Sequence, residues 1–159
     1  MIPASVSREA VVLASNGPRA DREFESYALL QLPELYQAAI ALLGSPAEAE
    51  KAVQESYLQT RVSSRRARPS RCRAQLFRVL FRAIANRRKK VSDNIPHATE
   101  DKTIAALRRL PQDLAEVVLL ADVQDFSFQE IQDALRLPLE IVMSRLNRAR
   151  LLLQPALAE

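Results

Sequence analysis

The chain has 159 residues, of which 48% are hydrophobic and 26% charged, a composition typical of folded globular proteins that excludes a disordered chain. This length suits one ordinary domain or two very small ones, and the single cysteine excludes an internal disulfide. The sequence has no apolar run of membrane-spanning length and no signal-peptide pattern at its start. We therefore expect a cytoplasmic protein without membrane insertion.

Glycine and proline usage favours an all-α fold. Two glycines occur against nine prolines, which suits helices joined by short turns. The formal net charge is +4, but the basic residues are concentrated: twelve of the 23 lie between Arg61 and Lys90, where no acidic residue occurs. A positive field this dense predicts a polyanionic partner, with nucleic acid as the first interpretation and an anionic membrane surface as the second.

In chain order, residues 1–23 come first and are predicted to form a tail or a small extra element. The apolar run after them ends at Gly44 and predicts a first helix. Ser45-Pro46-Ala47-Glu48 then combines a capping serine, a proline suited to the first helical position and the glutamate of a capping box. This pattern predicts a second helix, and residues at helical spacing continue it to about Thr60.

The polar segment Ser63–Arg71 is predicted to be a loop, and an amphipathic helix follows over Gln75–Lys90. The apolar stripe of this helix consists of Leu76, Phe77, Leu80, Ala83 and Ile84. Its opposite side carries Gln75, Arg78, Arg82, Asn86 and Lys89. Phe77 and Phe81 could stack on bases, but their place on the apolar side favours packing in the core. The cationic side suits contact with nucleic-acid phosphates.

The segment 91–103 is polar, contains a proline and is predicted to be a linker that spans roughly 50 Å at most. After it, the helical signals fall at 104–110, 112–122, 127–135 and 139–153. The third of these opens with a capping box, Ser127–Glu130, and Arg136–Pro138 turns the chain before the last helix. A short helix, a tight turn and a longer helix carrying Asn-Arg-Ala-Arg form the pattern of a helix-turn-helix. We predict two small helical domains, 24–90 and 104–159.

Three stretches, in this order, resemble a bacterial protein family. GSPAEAEKAVQESYLQT resembles the acidic helix of RNA polymerase sigma factors of the extracytoplasmic-function (ECF) group, and CRAQLFRVLFRAIANRRKK resembles the helix that follows it. ALRRLPQDLAEVVLLADVQDFSFQEIQDALRLPLEIVMSRLNRARLLL resembles sigma domain 4 of that group. The resemblance covers about Phe24–Leu153. It implies a transcription initiation factor with sigma domain 2 at 24–90 and sigma domain 4 at 104–159.

The resemblance implies a partner for each stretch. The acidic helix would bind the β′ clamp helices of core RNA polymerase through Glu48, Glu50, Gln54 and Glu55, and the β flap is a second polymerase contact. The residues implied in binding the promoter −10 element are Arg71, Arg73, Gln75, Arg78, Arg82, Asn86 and Lys89. Those implied in binding the −35 element are Met143, Ser144, Arg145, Asn147 and Arg148. An anti-sigma factor is a further implied partner.

The sequence carries no recognisable catalytic or metal-binding motif. It has no P-loop, no glycine-rich phosphate cradle and no metal-spaced Cys/His set, and its one histidine, His97, stands alone. We expect no enzymatic activity, no cofactor and no metal, because the catalysis of RNA synthesis would belong to the polymerase.

Some residues depart from the family pattern. Gln75 stands where a tryptophan is usual, Lys51 where an aspartate is usual, and Glu140 with Ile141 where Gly-Thr is usual, while Arg136 replaces a turn glycine. These departures leave open a second hypothesis, a sigma-like decoy that binds an anti-sigma factor without promoter activity. A third hypothesis, a helix-turn-helix repressor that binds duplex DNA without polymerase, leaves the acidic helix and the basic helix unexplained.

Overall fold

The computed structural model of the chain describes residues 19–63, 69–88 and 102–157. Its helices are α1 (Arg19–Leu43), α2 (Pro46–Ser63), α3 (Pro69–Arg88), α4 (Lys102–Arg109), α5 (Gln112–Val118), α6 (Phe128–Leu135) and α7 (Leu139–Leu157). No strand occurs in the described ranges, which confirms the predicted all-α class. None of these helices is long and apolar enough to cross a membrane. Below, α1–α3 are called the N-terminal helices and α4–α7 the C-terminal helices.

The turn between α1 and α2 forms where the sequence predicts it. Gly44 adopts φ +74°, a left-handed conformation that residues with a Cβ rarely take, and its N–H donates to the carbonyl oxygen of Ile40 at 2.8 Å. The N–H of Glu48 then donates to the Ser45 hydroxyl at 3.4 Å, which caps α2. The sequence predicts that the first helix begins after residue 23, but α1 begins at Arg19.

The prediction of a loop over Ser63–Arg71 is wrong at both ends, because Ser63 closes α2 and α3 begins at Pro69. A proline in the first turn of a helix gives up an N–H that would have no helical partner there, so Pro69 starts the helix. Residues 64–68 lie outside the described ranges. The apolar stripe of α3 is buried as predicted, and both Phe77 and Phe81 lie in the core.

The C-terminal helices also depart from the sequence prediction at two points. α4 begins at Lys102, inside the predicted linker 91–103, of which residues 91–101 lie outside the described ranges. A regular helix is predicted to reach Asp122, but α5 passes into a π-helical turn, Leu119–Val123. There the N–H of Gln124 donates to the carbonyl oxygen of Leu119, five residues earlier, at 2.9 Å. This turn directs Phe126 into the core.

The predicted helix-turn-helix is formed by α6, a turn and α7. A complete capping box opens α6: the Ser127 hydroxyl accepts from the N–H of Glu130, and the Glu130 carboxylate accepts from the N–H of Ser127. Arg136 ends α6 in a left-handed conformation, φ +53°. α7 runs to Leu157, beyond the predicted end at Leu153.

The N-terminal and C-terminal helices pack against each other and share one apolar core. The rings of Phe77 in α3 and Phe126 after the π-helical turn lie edge to face, with centroids 5.0 Å apart. The Gln112 side-chain amide donates to the carbonyl oxygen of Phe81 at 2.8 Å across the same interface. The division into two domains stays a prediction. The packing of the C-terminal helices on α3 decides which face of α3 meets solvent.

Candidate nucleic-acid interface

The outer face of α7 carries four of the five residues predicted to bind the −35 element. Val142, Leu146, Ala149 and Leu153 turn inward and are buried. Because one turn of a helix takes 3.6 residues, Met143 and Asn147 share the outer face with Ser144 and Arg148, and all four side chains are exposed. A helix with a polar, cationic outer face on a packed inner stripe has the shape that enters a major groove.

Arg145, the fifth of these residues, lies at the edge of that face and is partly buried. Its neighbour is Glu116 of α5. Burial raises the pKa of the Glu116 carboxyl, while a hydrogen bond from Gln112 and the charges of Arg145 and Arg88 act against that rise. The charge of Arg145 thus acts on a carboxylate of the protein as well as at the edge of the outer face, whereas the Arg148 side chain is exposed.

The side of α3 predicted to bind the −10 element is divided in this structure. Arg82 and Asn86 are exposed. Gln75 is partly buried in a groove of about 670 Å³ between α3 and α6. The side chain of Arg71 and all of Lys89 lie outside the described part of the chain. The two remaining residues, Arg73 and Arg78, are held by the protein itself.

Arg73 is bound on several sides at the junction of α1, α3 and α6. Its guanidinium donates to the carboxylates of Glu34 and Glu130, each at 3.1 Å, and to the carbonyl oxygen of Gln124 at 3.0 Å. The same group lies 3.9 Å from the centroid of the Phe126 ring, within cation–π range. Its side chain is only 19% exposed. In this arrangement Arg73 is not presented to DNA.

Arg78 reaches from α3 to the C-terminal end of α6. Its Nε donates to the carbonyl oxygen of Ala134 at 3.2 Å, and its Nη2 donates to that of Asp133. The last carbonyls of a helix lack helical donors and carry the negative end of its dipole, so they suit a guanidinium. Burial and the nearby charges of Arg136 and Arg82 lower the pKa of Arg78. The structure thus uses a predicted DNA-binding arginine to join two helices.

The acidic residues predicted to bind polymerase lie on α2 and are partly exposed. Arg87 of α3 bridges two of them, with Nη1 2.9 Å from Glu48 and Nη2 3.2 Å from Glu55. The hydrogen bond from Arg87 is the main reason why the pKa of Glu48 is lowered, and Lys51 adds to it from 3.7 Å. The predicted polymerase-binding surface of α2 is less negative than the sequence suggests, because the Arg87 guanidinium pairs with two of its carboxylates.

Arg108 is a structural residue that sequence reasoning missed. From α4 its Nε donates to the carbonyl oxygen of Ala41 at 3.2 Å, and its Nη2 donates to that of Ile40 at 3.3 Å, at the C-terminal end of α1. Its own carbonyl oxygen accepts from Arg88 at 2.7 Å. The sequence gives only a weak signal for this contact. The end of α1 at Gly44 predicts carbonyl oxygens that lack helical donors, but no sequence pattern identifies Arg108 as the residue that donates to them.

Comparison with known proteins gives matches to one family. The family model for sigma-70 region 4 matches residues 101–153. The ECF RNA polymerase sigma factor EcfG of Rhodopseudomonas palustris (strain TIE-1) is 30% identical over 141 residues, covering 77% of this chain and 78% of that protein. The fold is similar to that of the sigma factor RpoE of Bartonella quintana, solved in complex with the anti-sigma factor NepR. The TM-score is 0.70 at 24% identity, over 86% of this chain and 98% of that one.

Proposed function

Because this chain belongs to the ECF group of RNA polymerase sigma factors, we propose that it binds core RNA polymerase, directs it to specific promoters and helps to open the −10 region. α7 reads the −35 element in the major groove. α3 binds the −10 element, and the carboxylates of α2 bind the clamp helices of the β′ subunit. The protein acts in the cytoplasm, where it meets polymerase and chromosome.

The observation that carries this proposal is the exposed outer face of α7. Arg148 and Asn147 project from a helix whose opposite stripe is buried, so their donors are available to base edges. Arginine can bind O6 and N7 of guanine together, and asparagine can do the same with N6 and N7 of adenine. Met143 adds an exposed apolar group that suits a thymine methyl.

Run-off transcription with purified core polymerase tests the proposal. Genomic templates first locate the start sites, and the promoter found in this way is compared with a scrambled copy. Arg148→Ala should reduce transcription from the matched promoter about 5- to 150-fold, the range of one good base contact. Arg109→Ala removes the same charge from an exposed site on α4 and should have little effect. No start-site-specific transcript with the wild-type chain would contradict the proposal.

The effect of Arg148→Ala also separates base reading from phosphate contact. If Arg148 grips a phosphate, the variant binds the matched and scrambled duplexes more weakly by the same factor, and the salt slope falls by about 0.9. If it reads a base, the loss is confined to the matched promoter. Gel shifts of the holoenzyme at several salt concentrations distinguish the two.

A second candidate function is a decoy that binds an anti-sigma factor without directing transcription. Two observations favour it: Arg73 and Arg78 are held by other parts of the protein, and the similar solved structure contains an anti-sigma factor. It predicts tight binding to a purified anti-sigma factor together with no start-site-specific run-off product. A promoter-specific transcript that the anti-sigma factor suppresses would instead support the first candidate.

A further inference from the structure

We propose that Glu140, in the first turn of α7, reads a cytosine in the −35 element and so sets part of the promoter specificity of this chain. This role of Glu140 rests on the proposed function, since it needs α7 to lie in the major groove of promoter DNA. It goes beyond that function because it adds an acidic residue to a face whose predicted DNA contacts are uncharged or basic.

Glu140 lies near the middle of the outer face of α7. Each residue turns an α-helix by about 100°. The buried residues of α7 centre on one direction and are Val142, Leu146, Ala149 and Leu153. Counted in this way, Glu140 points about 150° from that direction and Arg148 about 130°, while Asn147 lies only about 20° from Glu140. A helix that presents Arg148 and Asn147 to a groove therefore presents Glu140 as well.

The Glu140 side chain is exposed, and the protein does not hold its carboxylate. Within residues 19–63, 69–88 and 102–157, no hydrogen bond or ion pair engages it. Asp122 differs in this respect, because it pairs with Arg150 at 2.7 Å. A carboxylate that enters a groove without a partner loses its water and is repelled by the phosphates. Glu140 therefore needs a hydrogen-bond donor from the DNA.

In the major groove, cytosine matches a carboxylate better than any other base. Cytosine presents its N4 amino group there as a donor and presents no acceptor. Adenine presents the N7 acceptor beside its N6 donor, and the hydrogen-bonding groups of guanine and thymine are acceptors only. Seven residues of helix span about 10.5 Å, or about three base-pair steps, so Glu140 and Asn147 can reach bases of the same short element.

Two variants of Glu140 test the assignment to cytosine. Glu140→Ala removes the acceptor, so the preference for cytosine at the contacted position should disappear while the preferences at other positions stay. Glu140→Gln places an amide donor beside the oxygen, and glutamine can bind N6 and N7 of adenine together. This variant should therefore use a template with adenine at that position better than one with cytosine. If Glu140 only stabilised α7 through the helix dipole, its loss would affect all templates by the same factor.

Asp113→Asn is the matched control. Asp113 is also an exposed acidic residue in the first turn of a helix, in this case α5. The variant loses the same charge at the same place relative to a helix dipole, but it does so away from the outer face of α7. It should leave the base preference at every position of the −35 element unchanged.

The assay is run-off transcription by core polymerase and the full chain on a pool of templates. The pool contains the promoter located with the wild-type chain and every single base-pair replacement within its −35 element. With the wild-type chain, replacement of the contacted cytosine should lower the product about 5- to 150-fold, the range of one good base contact. With Glu140→Ala, the ratio between these two templates should approach one.

Failure of this role and failure of the proposed function give different results. No start-site-specific transcript with the wild-type chain would remove the proposed function and the role of Glu140 together. Specific transcription by the wild-type chain, with unchanged base preferences or a uniform loss over all templates in Glu140→Ala, would overturn the role of Glu140 alone. Loss of the preference for a base other than cytosine would also overturn it.

Discussion

Gly44→Ala tests the interface between the two sets of helices at the end of α1. Two costs are expected. Alanine is strained at φ +74°, which costs about 1 kcal/mol beyond the gain from a less flexible unfolded chain. In addition, the new Cβ would lie 2.9 Å from the Arg108 Cζ, closer than real Cβ contacts allow. The Arg108 guanidinium must move, and it can do so because it lies at the end of a long, flexible side chain.

The second cost is therefore the loss of the bonds that Arg108 makes. Its contacts to the carbonyl oxygens of Ala41 and Ile40 are long, 3.2 and 3.3 Å, and only partly buried. Together they are worth about 1–2 kcal/mol, the lower part of the range for hydrogen bonds to a charged group. Gly44→Ala should then lower the free energy of unfolding by about 2–3 kcal/mol.

A double-mutant cycle with Arg108→Ala separates the two costs. Without the Arg108 side chain, Gly44→Ala retains only its strain, about 1 kcal/mol, so the double variant should be about 1–2 kcal/mol more stable than the sum of the single variants predicts. Urea unfolding followed by circular dichroism at 222 nm gives the four free energies. Additive losses would refute the reasoning, because they would show that Arg108 does not lie against Gly44 in solution.

Three further predictions concern single groups, and each is measured as a free energy of unfolding in urea. Ser127→Ala removes the cap of α6 and should cost about 1 kcal/mol. Arg87→Met should cost about 1–2 kcal/mol at pH 7. Part of that cost comes from Glu48, because its hydrogen bond from Arg87 lowers the pKa of its carboxyl below 4.5 in the folded protein. This part of the stabilisation is fully present above pH 4.5, and it is lost as the pH falls through the folded-state pKa. Glu116→Gln should be more stable than wild type at pH 7 and equal to it in acid, because burial raises the pKa of this carboxyl and destabilises its charged form.

Local signals in the sequence predicted the boundaries at Gly44 and at Ser127. Ser127 and Glu130 satisfy each other within one turn, and Gly44 supplies a left-handed residue that few others can, so both act without help from distant parts of the chain. The inward stripe of α3 was predicted for a similar reason: residues three and four apart share a helix face whatever they pack against. The start of α3 differs from the prediction because a proline among polar residues fits a loop as well as the first turn of a helix.

The fate of the cations could not be predicted in this way. Arg73, Arg78 and Arg82 share one helix and similar neighbours, yet the first two are held by the protein and the third is exposed. The partners of Arg73 and Arg78 lie more than 30 positions away in sequence. Some of them follow a π-helical turn that no local sequence pattern indicates. Charge density therefore predicts a polyanionic partner, but it does not identify which arginines are free to meet one.

A helix C-terminus is a partial substitute for a phosphate. It presents carbonyl oxygens with a combined charge of about −0.5, whereas a phosphate carries a full negative charge. Arg78 is bonded to α6 through main-chain carbonyl oxygens, and exchange of these for a phosphate strengthens its electrostatic contact. Salt screens the attraction to DNA more than the short, half-buried bonds to α6. Raising the salt concentration should therefore favour the bonds of Arg78 to α6 over its contact with DNA.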